Sequence, residues 1–197
     1  MASRVSAASQ FAVYGPTFLD VVMGPLDGPP IPGREAWVEG ALMCAGGAAN
    51  QAIALARLGA PVCLHSRVGV DQMGVFVDEM LAREGVDTSP CERVGDQNIT
   101  VSLSFDGDRA MTTRGTTALP RLGGEVPACL LADVRGISAN SEIVSSWREC
   151  GTWVLADTAW DEARAWDEAD LESLRLADVC TPNEEEALAY ARTESVE

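Results

Sequence analysis

Short apolar runs alternate with amphipathic segments along the first 85 residues of the chain. The runs at 11–15 and 61–68 have the length and composition of buried strands. The segments 47–58 and 71–84 carry apolar residues at helical spacing, and a glycine follows each of them as a helix-ending residue. This order of strand, helix, strand and helix predicts a parallel sheet with right-handed crossovers.

The middle of the chain follows a different pattern, which is typical of a β-hairpin. Residues 98–105 alternate between apolar and polar side chains. Asp106 and Gly107 form a dipeptide that favours a two-residue hairpin turn, and a returning strand is predicted at 109–114.

Two earlier segments, 19–23 and 36–43, are also predicted to be extended. The segment 24–33 between them is rich in proline and glycine, which predicts a loop without regular structure. Together with the hairpin, these strands predict a small separate sheet that stands off the main one like a lid. Its strands are then inserted at about 19–43 and 98–114 of one α/β domain that spans residues 1–197.

From residue 125 the alternation of strands and helices resumes. We predict a short helix at 126–132 and then a strand at 134–137. The acidic, tryptophan-rich segment 160–166 is predicted to be an exposed loop or helix. The remaining predictions are three helices and two strands: helices at 141–149, 167–175 and 183–191, and strands at 152–156 and 179–181.

Composition and charge narrow the class of protein. The chain has 197 residues, 47% of them apolar, and a formal net charge of −16. Such an acidic chain is poorly suited to nucleic acid or to a membrane surface, because both are polyanions. Its six cysteines form no CxxC pair, and no apolar stretch is long enough to span a membrane. These features predict a cytoplasmic protein, in which the single histidine, His65, has a role in the core or at a strand end.

The residues of the first half point to a small-molecule site. Asp20 can accept two hydroxyl hydrogen bonds, although a solvated turn aspartate is the simpler interpretation. Gly46 and Gly47 precede a helix N-terminus, where a ligand can approach the backbone closely, but such a pair is often only a cap. Asn50 offers a donor and an acceptor, which suits a vicinal diol. The GxGxxG spacing of a dinucleotide site is absent, which weighs against that class.

Five further polar residues are candidates for the site, and four of them also carry a structural interpretation. Asp71 either caps the second helix or contributes to the site. Asp157 ends a strand at the edge where open α/β sheets bind ligands. Asn183 and Glu186 form an N-x-x-E pair, which suits a helix-capping box or a magnesium–water network near phosphates. Arg114 either contacts a substrate phosphate or stays solvated.

The order of these motifs resembles the ribokinase-like (PfkB) sugar kinase family. GPTFLD, AGGAANQAIALARLG, GVDQMG, a β-hairpin, an Asp-ending strand and TPNEEEA follow one another from about residue 11 to about residue 190. The resemblance implies a three-layer α/β/α fold with a central, mostly parallel sheet and a small β-sheet lid. It also implies transfer of the γ-phosphoryl group of ATP, with Mg²⁺, to a hydroxymethyl group of a sugar or nucleoside.

Matched motif by motif, the resemblance assigns roles to most of the candidate residues. It implies that Asn183 and Glu186 lie near the metal and the phosphates, and that Asp157 is an acidic strand-end position. The implied acceptor pocket is lined by Asp20, Gly46, Gly47 and Asn50.

Two departures from the family pattern alter the expectation. Ala45 stands where the family has the first glycine, which predicts a slightly narrower pocket. The chain ends at Glu197 without the Gly-Ala-Gly-Asp motif, which in the family supplies an anion hole and the catalytic base. The resemblance therefore implies no catalytic residue in this chain, which is expected to be an N-terminal fragment that is inactive alone.

Other functions remain open at this stage. A non-catalytic module would keep the acceptor pocket for a sugar and use the lid for dimerisation. A nucleoside kinase would share the same scaffold with a different acceptor. A nucleotide-dependent oxidoreductase is poorly supported because the glycine spacing is wrong. In each kinase version the partners are a sugar or nucleoside and a second copy bound through the lid.

Overall fold

The structure is a computed structural model that describes residues 10–158, 166 and 168–195. Residues 159–165 and 167 lie outside the described residues, and with them most of the tryptophan-rich segment and the start of the predicted helix at 167–175. In chain order the elements are β1 (Phe11–Tyr14), β2 (Thr17–Leu26), β3 (Gly40–Gly47), α1 (Ala48–Arg57), β4 (Val62–His65), β5 (Arg67–Val68), α2 (Gln72–Arg83), β6 (Glu92–Arg93), β7 (Asn98–Phe105), β8 (Asp108–Arg114), β9 (Cys129–Asp133), α3 (Val134–Ala139), α4 (Ser141–Glu149), β10 (Trp153–Asp157), α5 (Glu168–Glu172), a 3₁₀ helix (Ser173–Leu176), β11 (Val179–Cys180) and α6 (Glu184–Ala191).

A five-stranded parallel sheet forms the centre of the molecule. Its strand order is β11-β10-β9-β1-β4, and every neighbouring pair is parallel. Helices connect most of these strands, as right-handed crossovers require. The predicted α/β class with a central parallel sheet is confirmed.

Helices cover both faces of this sheet. Alternate residues of β1 point to opposite faces, so that Val13 belongs to one buried cluster and Ala12 to the other. The first cluster contains side chains of α1 and α2, and the second contains side chains of α3 and α4. The three-layer arrangement follows from this division.

The lid is a separate four-stranded sheet in the order β3-β2-β7-β8. Strands β2 and β7 are parallel, whereas the two outer pairs are antiparallel. Asp106 and Gly107 connect β7 to β8 with φ angles of 52° and 78°, which is the backbone that a two-residue hairpin turn requires. The predicted lid and its hairpin are therefore present.

Two predictions after residue 125 are wrong. The segment predicted as a helix at 126–132 contains strand β9, and the segment predicted as a strand at 134–137 lies in helix α3. β9 is a central strand with β1 on one side and β10 on the other, so nearly all of its short apolar run is buried or half-buried. A short run that is apolar on both sides has no periodicity that separates strand from helix.

The boundaries of the lid strands also differ from the prediction. β2 continues to Leu26, through the first part of the segment 24–33 that we predict as an irregular loop. Gly24 pairs with Gly40 on β3, and Leu26 pairs with Phe105 on β7. The register with β7 shifts between Met23 and Leu26 and leaves Pro25 without a cross-strand partner among the described residues. β3 begins at Gly40, so residues 36–39 lie outside the strand.

Two further properties concern the cysteines and the lengths of the helices. All six cysteines are free thiols. Within the described ranges, none of the helices combines the length and the apolar character needed to cross a bilayer.

Gly47 makes the connection between the lid and α1. Its φ angle is 63°, in the left-handed region that favours glycine. A Cβ added there would overlap the carbonyl oxygen of Pro16 and would lie 2.7 Å from the Phe18 ring. The amide of Ala48 donates to the same Pro16 oxygen at 2.9 Å. The lid can therefore pack against the start of α1 only because residue 47 has no side chain.

We predict that Gly47→Ala lowers the free energy of unfolding by about 2–4 kcal/mol, through backbone strain and overlap with Pro16. Urea unfolding followed by circular dichroism measures the change. Gly28→Ala is the matched control, because an added Cβ at Gly28 meets no heavy atom within 4 Å, and its effect should stay below about 0.5 kcal/mol. Equal effects of the two variants would contradict the close approach at Gly47.

Candidate functional site

Asp20 lies in the middle of β2, on the polar face of the lid. Its direct cross-strand neighbours are Cys44 on β3 and Thr100 on β7. Residues that pair directly across a sheet share a face, so these three side chains are adjacent. Burial raises the pKa of the Asp20 carboxyl, and a side-chain hydrogen bond from Thr100 opposes that increase. Asp20 is thus a half-buried carboxyl on a face that hydroxyl groups can approach.

Gly46 brings the Asp20 carboxyl against the end of β3. A Cβ added to Gly46 would overlap the carboxylate group of Asp20. The absence of a side chain at this position therefore lets Asp20 lie beside the turn that enters α1. Sequence reasoning placed Asp20, Gly46 and Gly47 in one pocket, and the structure brings these three residues together.

Ala45 precedes the two glycines in the sequence, and Asn50 follows them. Asn50 is the third residue of α1, in its first turn, and its side chain is exposed. Ala45 packs in the buried cluster that also contains Leu19. The methyl group of Ala45 thus faces the core, whereas the Asp20 carboxyl lies on the opposite face of the same sheet.

Asp71 has the capping role that we gave as its structural interpretation. Its Oδ1 accepts from the Gly74 amide at 2.8 Å, and its Oδ2 accepts from the Gln97 amide at 3.3 Å. The glycines of this turn are needed for packing, because a Cβ on Gly74 would overlap the Gly69 carbonyl oxygen. A ligand role of Asp71 stays a prediction.

Gln97 and Asn98 are two buried amide residues at the base of the lid that the sequence analysis does not select. The Gln97 side chain is buried, accepts from the Gly69 amide at 2.9 Å and donates to the Thr17 carbonyl at 3.0 Å. Asn98 exchanges two hydrogen bonds with the backbone of Thr116. Gln97 thus joins the start of β2 to the turn at Gly69, and Asn98 joins the two strands of the hairpin at its open end. Two adjacent amide residues at the start of an alternating strand were the available signal.

Arg114 does not lie beside Asp20. It pairs with Ile99 on β7, whereas Asp20 pairs with Thr100, so Arg114 and Asp20 point to opposite faces of the lid. Its guanidinium forms an exposed ion pair with Asp96, which raises the pKa of Arg114. Contact of Arg114 with a substrate phosphate remains a prediction.

A second group of predicted residues lies at the carboxyl edge of the main sheet. Asn183 caps α6 by accepting from the Glu186 amide at 2.8 Å, and Glu186 Oε2 accepts from the Asn183 amide at 3.1 Å. The Thr158 hydroxyl donates to the same Oε2 atom at 2.6 Å. Glu186 is buried, so it fixes the start of α6 against the end of β10. The capping-box interpretation is therefore present in full.

Asp133 adds a carboxyl to this edge that sequence reasoning did not select. It pairs in register with Asp157, and both residues end their strands. Burial raises the pKa of Asp133, and the amide of Gly136 opposes this increase. The charge of Asp157 raises it further. Asp133 was not selected because the segment of β9 is predicted as a helix. A strand that is predicted to end at Asp133 would have matched the strand that ends at Asp157.

A cavity of about 610 Å³ lies away from both groups. It is lined in part by Cys63, His65 and Asp87 and contains none of the predicted site residues. Burial raises the pKa of Cys63 to about 11 and lowers the pKa of His65. Burial thus favours the neutral thiol of Cys63 and the neutral imidazole of His65, whose Nε2 lies 3.5 Å from the Cys63 Sγ. The predicted core position of His65 agrees with its burial.

The two groups of site residues occupy the same edge of the molecule. β1 leads at its carboxyl end through Pro16 into the lid, while β9 and β10 end at Asp133 and Asp157. In open α/β sheets this edge is where ligands bind. The arrangement can hold hydroxyl groups at Asp20 and can place negative charge near a cation at the sheet edge.

Comparison with known proteins supports the resemblance. Residues 39–119 match the family model described as pfkB family carbohydrate kinase. A fructokinase from Vibrio alginolyticus is 27% identical to the chain, over 75% of the chain and 55% of the relative. A 2-dehydro-3-deoxygluconokinase from Bacillus subtilis (strain 168) is 46% identical over 28% of the chain and 17% of the relative. The chain therefore spans about half the length of the fructokinase.

Solved structures share the fold. A provisionally assigned ribokinase from Agrobacterium tumefaciens has a TM-score of 0.80 and 20% identity, over 95% of this chain and 63% of that one. The fructokinase with bound ATP from Xylella fastidiosa has a TM-score of 0.73 and 22% identity, over 93% of this chain and 64% of that one. The fold is ribokinase-like, and the predicted resemblance to the PfkB family is confirmed.

We predict that Glu186→Ala lowers the free energy of unfolding by about 1–3 kcal/mol, because the Thr158 hydroxyl and the Asn183 amide lose a buried acceptor. Thermal and urea unfolding measure the loss. Glu185→Ala is the control, since that side chain is exposed in the same helical turn, and it should change stability by less than about 0.5 kcal/mol. If Glu186→Ala were as stable as the control, the buried capping box would not be stabilising.

Proposed function

We propose that this chain, which has a ribokinase-like fold and matches the PfkB carbohydrate kinases over residues 39–119, forms the acceptor-binding part of an ATP-dependent sugar kinase. The contact between Asp20 and Gly46 at the start of α1 carries the proposal. It joins a carboxylate, a helix N-terminus and the polar face of the lid.

The acceptor site uses hydroxyl recognition. Ionised Asp20 is an acceptor only, so it binds groups that donate two hydrogen bonds, such as neighbouring sugar hydroxyls. Asn50 in the first turn of α1 supplies both a donor and an acceptor. The relatives named fructokinase and 2-dehydro-3-deoxygluconokinase support a sugar or a sugar acid as the acceptor, and a nucleoside is the alternative acceptor on the same scaffold.

ATP is the proposed phosphoryl donor and Mg²⁺ the proposed cofactor. Among the residues that the structure describes, there is no group of three or more His, Cys, Asp or Glu side chains that could hold a metal ion directly. Magnesium in kinases keeps several waters and needs only one or two carboxylates. The residues fit this indirect mode: Glu186 and Asp157 would orient magnesium-bound water at the sheet edge, where Mg²⁺ would neutralise phosphate charge.

The 197 residues are proposed not to transfer phosphate by themselves. They contain no Gly-Ala-Gly-Asp motif, so this chain supplies neither the base nor the anion hole that the resemblance implies. Phosphoryl transfer depends on such positioning and charge stabilisation. We therefore assign no catalytic residue within this chain.

A non-catalytic sugar-binding module is the second candidate. In this proposal the acceptor side consists of Asp20, Gly46 and the start of α1, and it does not depend on a nucleotide site. Such a module would bind sugar without ATP. For either candidate we propose the cytoplasm as the compartment, in keeping with six free thiols.

We predict that the chain binds a sugar through Asp20 and does not turn it over. Calorimetry with D-fructose, 2-dehydro-3-deoxygluconate and adenosine should show binding of at least one of them. Asp20→Asn should weaken that binding by about 10–100-fold, since a charged acceptor is lost. Asp27→Asn is the control, because Asp27 is an exposed lid-loop residue.

A coupled assay with ATP and Mg²⁺ completes this test. Turnover by the 197-residue chain would contradict the proposed inactivity, and the absence of binding of every acceptor would contradict the acceptor site. Sugar binding without ATP binding would favour the non-catalytic module.

The partner surface is proposed to be the apolar face of the lid. Val21, Met43 and Val101 lie in one cross-strand row on the face opposite Asp20. The inner end of this face is buried in the core at Leu19, whereas Met43 is 54% exposed. Covering this outer end with the same face of a second copy would remove apolar surface from water.

We predict that the chain sediments as a dimer and that Met43→Asp shifts it to a monomer, because a charge would be buried in the interface. Sedimentation velocity over a concentration series measures this change. Val126→Asp is the control, since Val126 is a similarly exposed apolar residue in the segment before β9, outside the lid strands. A monomeric unsubstituted chain at all concentrations would refute the lid dimer.

A further inference from the structure

Four side chains form one continuous row across the polar face of the lid. Cys44, Asp20, Thr100 and Thr113 pair directly from β3 through β2 and β7 to β8. The hydroxyl oxygens of Thr100 and Thr113 are 3.0 Å apart. Thr100 is buried and Thr113 is exposed, so the row runs from the carboxyl outward to solvent.

The chemistry of the row fixes the direction of its hydrogen bonds. A carboxylate accepts and cannot donate, and each threonine hydroxyl has a single proton. Asp20 and Thr100 are direct cross-strand neighbours, and a side-chain hydrogen bond from Thr100 lowers the pKa of Asp20. A Thr100 proton that is given to Asp20 is not available to Thr113. Thr113 must then donate to the Thr100 oxygen, and its own oxygen is left to accept from another donor.

The neighbouring row on the same face lacks this character. Val22 pairs with Leu42 on one side and with Ser102 on the other, and Ser102 pairs with Met111. Three of these four side chains are apolar. The pair of hydroxyl groups at Thr100 and Thr113 therefore occurs in the row of Asp20 and is not repeated in the neighbouring row.

We propose that Thr100 and Thr113 are positioning residues that form a hydroxyl relay, which orients the Asp20 carboxylate and leaves the Thr113 oxygen as a second acceptor for a polyhydroxylated ligand. The proposal rests on the proposed function for its ligand, whereas the row of four paired side chains rests on the register of the lid strands. Hydrogen bonds in such a chain polarise one another, so Thr113 acts on Asp20 through Thr100.

The relay is tested first in the ligand-free chain. Asp20 is titrated by carboxyl-detected NMR in the unsubstituted chain and in Thr100→Val, Thr113→Val and Thr112→Val. We expect Thr100→Val to raise the pKa of Asp20, because the ionised form loses a donor, and Thr113→Val to raise it less. Thr112 is the matched control, since it pairs with Val101 on the opposite face. Cys44 is the titratable neighbour on β3, whose pKa is raised by burial and by the charge of Asp20, and its titration is followed through its own ¹³Cβ signal.

An unchanged Asp20 pKa in Thr100→Val, or an equal change in Thr112→Val, would overturn the relay. Melting temperatures of all variants are recorded as a check on folding. Valine has nearly the shape of threonine and favours strands, so the variants are expected to fold.

Ligand binding is tested separately with D-fructose and 2-dehydro-3-deoxygluconate. For whichever ligand the unsubstituted chain binds, Thr100→Val should weaken the affinity by about tenfold. Thr113→Val should lose affinity, whereas Thr113→Ser, which keeps the hydroxyl, should retain it. Equal binding by Thr113→Val and the unsubstituted chain would overturn the role of Thr113 as an acceptor. If neither these ligands nor adenosine binds while the Asp20 pKa shifts as expected, the proposed function fails and the relay's effect on Asp20 is supported.

Discussion

The close approach of β3 to β2 at Gly46 and Gly47 is the constraint on which the site depends. The Asp20 carboxyl occupies the space where a side chain at Gly46 would lie, and Pro16 occupies the corresponding space at Gly47. A methyl group at position 46 would displace the Asp20 carboxylate, and one at position 47 would push the entry to α1 away from Pro16. Two missing side chains thus bring a carboxylate and a helix N-terminus together, although the two elements belong to different layers of the fold.

Buried amides then hold the lid to the body of the protein. Gln97 links the start of β2 to the turn at Gly69, and Asn98 closes the other end of the hairpin. Buried polar groups of this kind are costly unless each is paired, so a fully paired set fixes one arrangement of the strands. The orientation of the face that carries Asp20 is consequently determined by side chains that do not belong to the proposed pocket.

The sheet edge shows how structural and functional interpretations of one motif can coexist. Glu186 is a helix-capping residue by its contacts with Asn183 and Thr158. The same contacts place it beside the strand that ends at Asp157, which in turn pairs with Asp133. A carboxylate held in this way does not need to move in order to orient a hydrated cation. The capping box and the proposed magnesium–water network therefore require the same position of Glu186.

Local chemistry made part of the fold predictable. The turn at Asp106 and Gly107, the capping box at Asn183 and the close packing at Gly46 depend on residues that are neighbours in sequence or on a missing side chain. The exchange of helix and strand around β9 was not predictable in this way. Its short apolar run fits both structures, and contacts with β1 and β10, which are remote in sequence, select the strand.

The sequence by itself therefore determined where the backbone turns, which segments are amphipathic, and which family the order of motifs resembles. Only the tertiary structure decided which side chains share a face: Thr100 and Thr113 lie with Asp20, whereas Arg114 lies on the other side of the lid. The reason is the two-residue period of a strand, because a shift of register by one residue moves every side chain to the opposite face. Pairing between distant strands sets that register, and no single segment contains the information.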